Sequence, residues 1–237
     1  MTDPSQRHGM DGQTVVVTGG TQGIGRAAVE AFADAGAHVV TCARDADALD
    51  DLAEAIRESG GTITTQRADV RDEFDAERLL ETAARESGTV DAVVANAGVY
   101  HGGAGETPAD RESYAAFDDT MRTNARGVFA TFREARPHLA DDARLLALSG
   151  GVAREARAGF GAYAVSKAAA EALVRQFAAD TDWPAAVVDP GAVATDLTGG
   201  RGTDPERAAD LVLWAVRDAD PDRLDGSVLD RRAMREA

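Results

Sequence analysis

Five residues and the turn that follows them constrain this chain more than any other stretch. Thr14-Val15-Val16-Val17-Thr18 is an unbroken β-branched run, the composition of a strand buried on both faces. It runs directly into Thr18-Gly19-Gly20-Thr21-Gln22-Gly23-Ile24-Gly25, and then into a helical pattern of Ile24, Ala27, Ala28, Ala31 and Phe32 that Gly36 ends. Glycines permit a tight turn and close approach of the backbone to a pyrophosphate. The helix N-terminus beyond them offers amide donors and partial positive charge. Glycines also merely make turns, so the weight lies in their placement after the first strand of a βαβ unit.

The same alternation repeats along the chain. Apolar or β-branched runs at 38–42, 62–66, 91–95, 144–148, 185–189 and 227–229 read as further strands. Helical patterns lie between them at 46–59, 72–86, 108–138, 161–180 and 205–216. Alternating strands and helices at this spacing predict an α/β fold: a parallel sheet of about seven strands, covered on both faces and doubly wound by right-handed crossovers. Residues 1–12 are polar and aperiodic and read as a flexible tail, leaving one domain over 13–237.

Charge and cysteine content exclude several classes. With 41 acidic against 25 basic residues the net charge is −16, which argues against nucleic acid as a partner. No apolar run is long enough for a membrane span or a signal core, so the sequence predicts a soluble, cytoplasmic protein. A single cysteine, Cys42, rules out an internal disulfide and a multi-cysteine metal site. The acidic, lysine-poor composition resembles that of proteins from extreme halophiles; in about 1 M salt the Debye length is near 3 Å and self-repulsion is screened.

Lys167 is the only lysine in the chain, and it stands four residues after Tyr163 within Tyr163-Ala164-Val165-Ser166-Lys167. On a helix, residues at that spacing lie on one face. An ammonium beside a phenol favours phenolate, so the pattern predicts a tyrosine whose pKa falls from about 10 toward working pH, fit for acid–base work. Arginine is not an easy substitute where a compact point charge is needed.

Together these segments resemble the short-chain dehydrogenase/reductase family, over nearly the whole chain after the tail. Thr18 to Gly25 is similar to its T-G-x-x-x-G-I-G turn, Asn96-Ala97-Gly98 to its N-A-G, Tyr163 and Lys167 to its Y-x-x-x-K, and Pro190-Gly191 with Val193, Thr195 and Asp196 to its P-G-x-V-x-T-D. The resemblance implies a Rossmann-type fold and hydride transfer between a nicotinamide dinucleotide and a carbonyl or alcohol carbon, without a metal. By the same resemblance Gly19, Thr21, Gln22, Gly23, Ile24, Gly25, Asp69, Val70, Asn96, Ala97, Gly98, Pro190, Gly191, Val193 and Thr195 would bind the dinucleotide, together with Tyr163 and Lys167. Asp69 would meet the adenine amino group. Tyr163 would exchange the proton, Lys167 would hold the nicotinamide ribose and tune the phenol, and Asn124 would anchor a water. The partner is a small carbonyl or alcohol, with Tyr100, His101, Val152, Phe160 and Leu197 as candidate pocket walls. The ending at 225–231 resembles the carbonyl-reductase-like branch. A homodimer or homotetramer would form through the helices carrying Asn124 and Tyr163.

Two positions need separate treatment. At the end of the second strand Ala43 stands where relatives that prefer NAD carry Asp, and Arg44 follows. Guanidinium on a 2′-phosphate is a charge-assisted contact, so NADP(H) is the expected cofactor and NAD(H) the alternative. The family's serine, commonly thirteen residues before the tyrosine, falls here on Gly150, while Ser149 lies fourteen before it. Either Ser149 takes the role or the role is vacant. A vacant role would fit an NADP(H)-binding sensor or regulator of the same fold with impaired catalysis.

Overall fold

A computed structural model describes residues 9–237. In chain order its elements are β1 (Thr14–Thr18), α1 (Gly23–Asp34), β2 (His38–Ala43), α2 (Ala46–Glu58), β3 (Thr62–Arg67), α3 (Glu73–Ser87) and β4 (Val90–Ala95). Then come α4 (Tyr114–Met121), a π-helical turn (Arg122–Arg126), α5 (Gly127–Ala135) and β5 (Leu139–Leu148). The chain ends in α6 (Gly161–Asp180), β6 (Ala185–Asp189), α7 (Pro205–Arg217), β7 (Val228–Asp230) and α8 (Arg231–Arg235). All seven strands pair in parallel in the order β3-β2-β1-β4-β5-β6-β7. The winding reverses between β1 and β4, and a crevice opens beyond the C-terminal ends of strands at such a point.

Alternation along β1 assigns its side chains to two cores. Val15 and Val17 pack with Phe32 of α1, Leu52 of α2 and Leu211 of α7. Val16 faces the other way, with Leu79 and Leu80 of α3, Phe132 of α5 and Val174 of α6. Successive strand residues point to opposite faces, so a strand covered on both sides carries apolar residues facing both ways, as the three valines here do.

Three boundaries differ from the sequence expectation. Residues 108–113 are not helical: Arg111 N–H donates to the Pro108 carbonyl in a turn, and the helix starts only after Ser113, whose Oγ accepts from Ala116 N–H. Just before it, Thr107 bridges to Phe160, which draws the chain away from a helical path. Second, the helix expected to run to 138 is broken by the π turn over Arg122–Arg126. Third, β5 begins at Leu139 rather than 144; its first half pairs only through Val90↔Leu139 before an irregularity, and exposed Asp141 and Asp142 hide it from pattern reading. Of the expected tail, residues 1–8 lie outside the described residues, while Met10 is buried and its N–H donates to the Ala35 carbonyl. Among the described residues no helix is long and apolar enough to cross a membrane.

Candidate active site

The crevice at the winding reversal holds a cavity of about 710 Å³. Its walls include Gly19, Thr21, Gln22, Gly23, Ile24 and Gly25 from the glycine turn, Arg44 after β2, and Asp69 and Val70 after β3. Asn96, Ala97 and Gly98 after β4 and Thr195 after β6, also predicted, line it as well. The glycine turn is packed too tightly for side chains: a Cβ on Gly25 would sit 2.1 Å from the Gly19 carbonyl oxygen and 2.3 Å from Asn96 Nδ2. Asn96 is the staple here. Its Nδ2 donates to the Thr18 and Gly19 carbonyls at 2.9 and 3.1 Å, and Thr18 Oγ1 accepts from Asn96 and Ala97 N–H, both at 3.1 Å. Helix α1 opens into the cavity with no side-chain cap and no acid in its first turn. Uncapped amides with a positive dipole end suit an anionic pyrophosphate, so these residues fit a dinucleotide.

The acids beside Arg44, at the β2 and β3 side of the cavity, are largely engaged elsewhere. Asp45 accepts from Asp47 and Ala48 N–H as the cap of α2. Asp69 accepts from the N–H, Nε and Nη2 of Arg71, and these bonds hold its carboxyl below the usual range. Arg71, a further wall of the cavity, also pairs with Asp119. Sequence reading missed Arg71, although its place two residues after Asp69 is the signal, since short side-chain bonds at that spacing are common in turns. It also missed Cys42, Val99 and Thr123 as walls. Pro190, Gly191 and Val193 do not line this cavity. Pro190 and Val193 are buried, and Val193 bridges to Thr203.

Tyr163, Lys167, Asn124 and Ser149 stand beyond the cavity's inner end, where Gly98 joins the two regions. A Cβ on Gly98 would lie 3.4 Å from Asn124 Oδ1 and 3.7 Å from Lys167 Nζ. Helix α6 carries Tyr163 and Lys167 on one face, with Nζ 5.8 Å from the phenol ring centroid. Lys167 is buried and donates to the Leu148 carbonyl at 2.8 Å. The expected fall in the tyrosine's pKa is not what this arrangement produces. Burial pushes Tyr163 up to about 12, with smaller contributions from Tyr100 and Asp189, and burial draws Lys167 down to about 8 against the raising influence of Glu171. Exclusion of water disfavours both charged forms.

Asn124 sits in the π turn, fully buried. Its Oδ1 accepts from Val99 N–H at 2.8 Å, and its Nδ2 donates to the Val99 carbonyl and to Ser166 Oγ at 2.9 and 3.0 Å. The amide therefore ties the loop after β4 to α6. Ser149 Oγ donates to Glu171 Oε1 at 2.7 Å. A hydroxyl has one proton to donate, so in this geometry Ser149 meets any further group as an acceptor. Gly150 is extended at φ −168° and ψ 166°, and a Cβ there would meet nothing within 4 Å.

The expected apolar pocket is only partly assembled. Leu197 lines the cavity. Tyr100 lies against Tyr163 with ring centroids 4.8 Å apart and stacks on Phe160 on its other side at 6.0 Å. The Tyr100 hydroxyl donates to the Gly159 carbonyl at 2.8 Å, which fixes the ring as a wall. His101 faces outward and pairs with Asp119 Oδ2 at 2.9 Å.

Comparison with known proteins agrees with this geometry. The family model for short chain dehydrogenase matches residues 13–206, and the chain belongs to that family of NAD(P)-binding oxidoreductases. It is 32% identical over 203 residues to versicolorin reductase 1 of Aspergillus parasiticus, covering 81% of this chain and 74% of that one. It is 31% identical over 236 residues to the glycine betaine reductase ATRR of Emericella nidulans, covering 90% of this chain but spanning only 18% of that longer protein. Among solved structures, a short chain dehydrogenase from Burkholderia cenocepacia in complex with NADP superposes with a TM-score of 0.84 at 25% identity, covering 93% of this chain and 96% of that one.

Proposed function

We propose that this protein is an NADP(H)-preferring oxidoreductase that reduces a small carbonyl compound to an alcohol. The dinucleotide would lie along the glycine turn, with its pyrophosphate at the α1 N-terminus and its adenosine end between Arg44 and Asp69; when bound it supplies the hydride. Tyr163 gives the proton to the substrate oxygen. The observation that carries the reading is the placement of Tyr163 and Lys167 on one face of α6, with Nζ 5.8 Å from the phenol ring centroid; the phenol is protonated at neutral pH, with burial raising its pKa further, and so stands ready as an acid. Lys167, charged below about pH 8, stabilises the anion that forms as the proton leaves. Asn124 holds the loop after β4 against α6, and Ser149, its proton held on Glu171, can accept only from the hydroxyl of the alcohol product. Arg44, exposed beside an Asp45 already used as a helix cap, supports a preference for the 2′-phosphate.

Exposed Phe117, Phe129 and Val165 on α4, α5 and α6 support pairing of two copies through those helices. The acidic composition supports work in concentrated salt in the cytoplasm. Consumption of NADPH with a panel of aldehydes and ketones, in low and in molar salt, tests the reading. The engaged Ser149 proton gives a second reading some support, a regulator that binds NADP(H) without turnover. NADPH binding seen by fluorescence with no carbonyl consumed would favour it.

A further inference from the structure

Lys167 and Glu171 are the two charged side chains buried among the described residues, at 6% and 2% exposed. They stand one turn apart on α6, with Tyr163 one turn earlier, so phenol, ammonium and carboxylate follow one another along a helix face. The chemistry proposed above makes no use of Glu171. A buried carboxylate persists only where it is paired and hydrogen-bonded, and two groups meet this one. Ser149 Oγ at the end of β5 donates to Glu171 Oε1 at 2.7 Å, and Arg154 Nη1 from the following loop donates to the same oxygen at 2.6 Å. The other arm of Arg154 reaches Asp189 at the end of β6. Lys167 meanwhile grips the Leu148 carbonyl. The last residue of β5 and the one that follows it are thus clamped by two successive turns of α6.

We infer that Glu171 is a positioning residue for the reaction at Tyr163: its carboxylate is the counter-charge of Lys167 and, together with that ammonium, clamps the end of β5. This rests on the function proposed above. The groups facing the pair are the Leu148 carbonyl and Ser149 from β5, Arg154 from the loop after it, Asp189 through Arg154, Tyr163 on α6 itself, and the uncharged Asn124 across Gly98. Burial lowers the proton affinity of Lys167 and Glu171 raises it, which is the sign expected of a counter-charge.

Because Lys167 is the only lysine, the full-length protein grown with carbon-13 lysine gives one ε-methylene NMR signal, and its titration reads this group alone. The wild-type midpoint is expected near pH 8. Glu171→Gln should lower it by roughly half a pH unit or more. Arg154→Gln removes the cation that competes for the same carboxylate and should raise it, while Glu171→Asp should restore a midpoint close to the wild type. Loosened packing would not move the two charge-removing variants in opposite directions. In the same preparations the alkaline limb of kcat for carbonyl reduction should follow the NMR midpoint. Should Glu171→Gln not fold, the rise in Arg154→Gln and the near-normal midpoint of Glu171→Asp carry the test. Equal midpoints, or shifts of one sign in the two charge-removing variants, would overturn the inference. A wild type that turns over no carbonyl with either dinucleotide would instead sink the proposed function, whatever the titration shows.

Discussion

Asn124 Nδ2 donates to Ser166 Oγ at 3.0 Å, and Ser166 Oγ donates in turn to the Tyr163 carbonyl at 2.8 Å. A residue in the π turn is thereby joined through one hydroxyl to the backbone of the residue proposed as the acid. The same amide closes both polar groups of Val99.

Asn124→Ala therefore breaks a buried network before it touches chemistry. Leaving the Val99 N–H and carbonyl unpaired should cost at least about 2 kcal/mol, a fall in Tm of about 4–8 °C for a domain of this size. Ser166→Ala, which leaves Val99 satisfied, should cost about 1 kcal/mol. Thermal unfolding checks both. An unchanged Tm in Asn124→Ala would mean the amide serves only a reacting group.

Ser149 and Gly150 make opposite predictions. With its proton on Glu171, Ser149 contributes less to a carbonyl oxygen than a free donor, which is worth on the order of 10²–10³ in rate. Ser149→Ala should thus lower kcat by less than about 100-fold. Gly150→Ser enters open space on extended backbone, so the fold should keep its stability to within about 0.5 kcal/mol and kcat for carbonyl reduction should rise. A large loss in Ser149→Ala with no gain in Gly150→Ser would show that the Ser149 hydroxyl turns toward substrate when substrate is bound.

Lys167 also leaves a mark on stability. Its folded pKa is about 8 against 10.5 for the free side chain, so between those values the unfolded chain holds the extra proton and stability rises with pH. Below about pH 8 the charged amine is a net cost of burial, and by pH 10.5 that cost has been released. The stability of wild type minus that of Lys167→Met should accordingly climb by up to about 3 kcal/mol from pH 8 to 10.5. Subtracting the variant removes the opposing fall from Cys42 and Tyr163, whose protons the folded state holds to about pH 12. Denaturant unfolding of the two proteins across that range is the measurement. A flat difference would mean the amine is not kept from water.

Much of this was readable in advance, for identifiable reasons. The strand run 14–18 and its glycine turn carry local information: β-branched residues with no alternation, then spacing that only a tight turn satisfies. The one-face placement of Tyr163 and Lys167 follows from helical spacing alone. The π turn at Arg122–Arg126 was not readable, because its composition suits an ordinary helix and the partner of its Asn124, Val99, lies 25 residues away. The start of α4 was misplaced because Pro108 marks a turn as readily as a first helical residue. The direction of the Ser149 hydroxyl depends on Glu171, 22 residues on. The Tyr163 pKa was expected to move the wrong way because spacing reveals the partner but not how thoroughly water is excluded.

Arg44 offers a test of cofactor choice. It lines the cavity on the side of β2 and β3, while Asp45 is spent on the α2 cap. Arg44→Asp should reverse the NADP/NAD ratio of kcat/KM, by exchanging a guanidinium for a carboxylate that repels a 2′-phosphate and accepts from a 2′-hydroxyl. Steady-state kinetics with both dinucleotides gives the answer. An unchanged ratio would place the discriminating contact elsewhere on the rim.

Tyr163→Phe bears most directly on the proposed chemistry, because it removes a single oxygen from a packed ring. NADPH oxidation driven by a carbonyl substrate should fall by at least about 100-fold, while NADPH still binds with wild-type affinity and the Tm holds. Turnover that survives this substitution would contradict a tyrosine proton donor, and a wild-type protein that binds neither dinucleotide would contradict the active site itself.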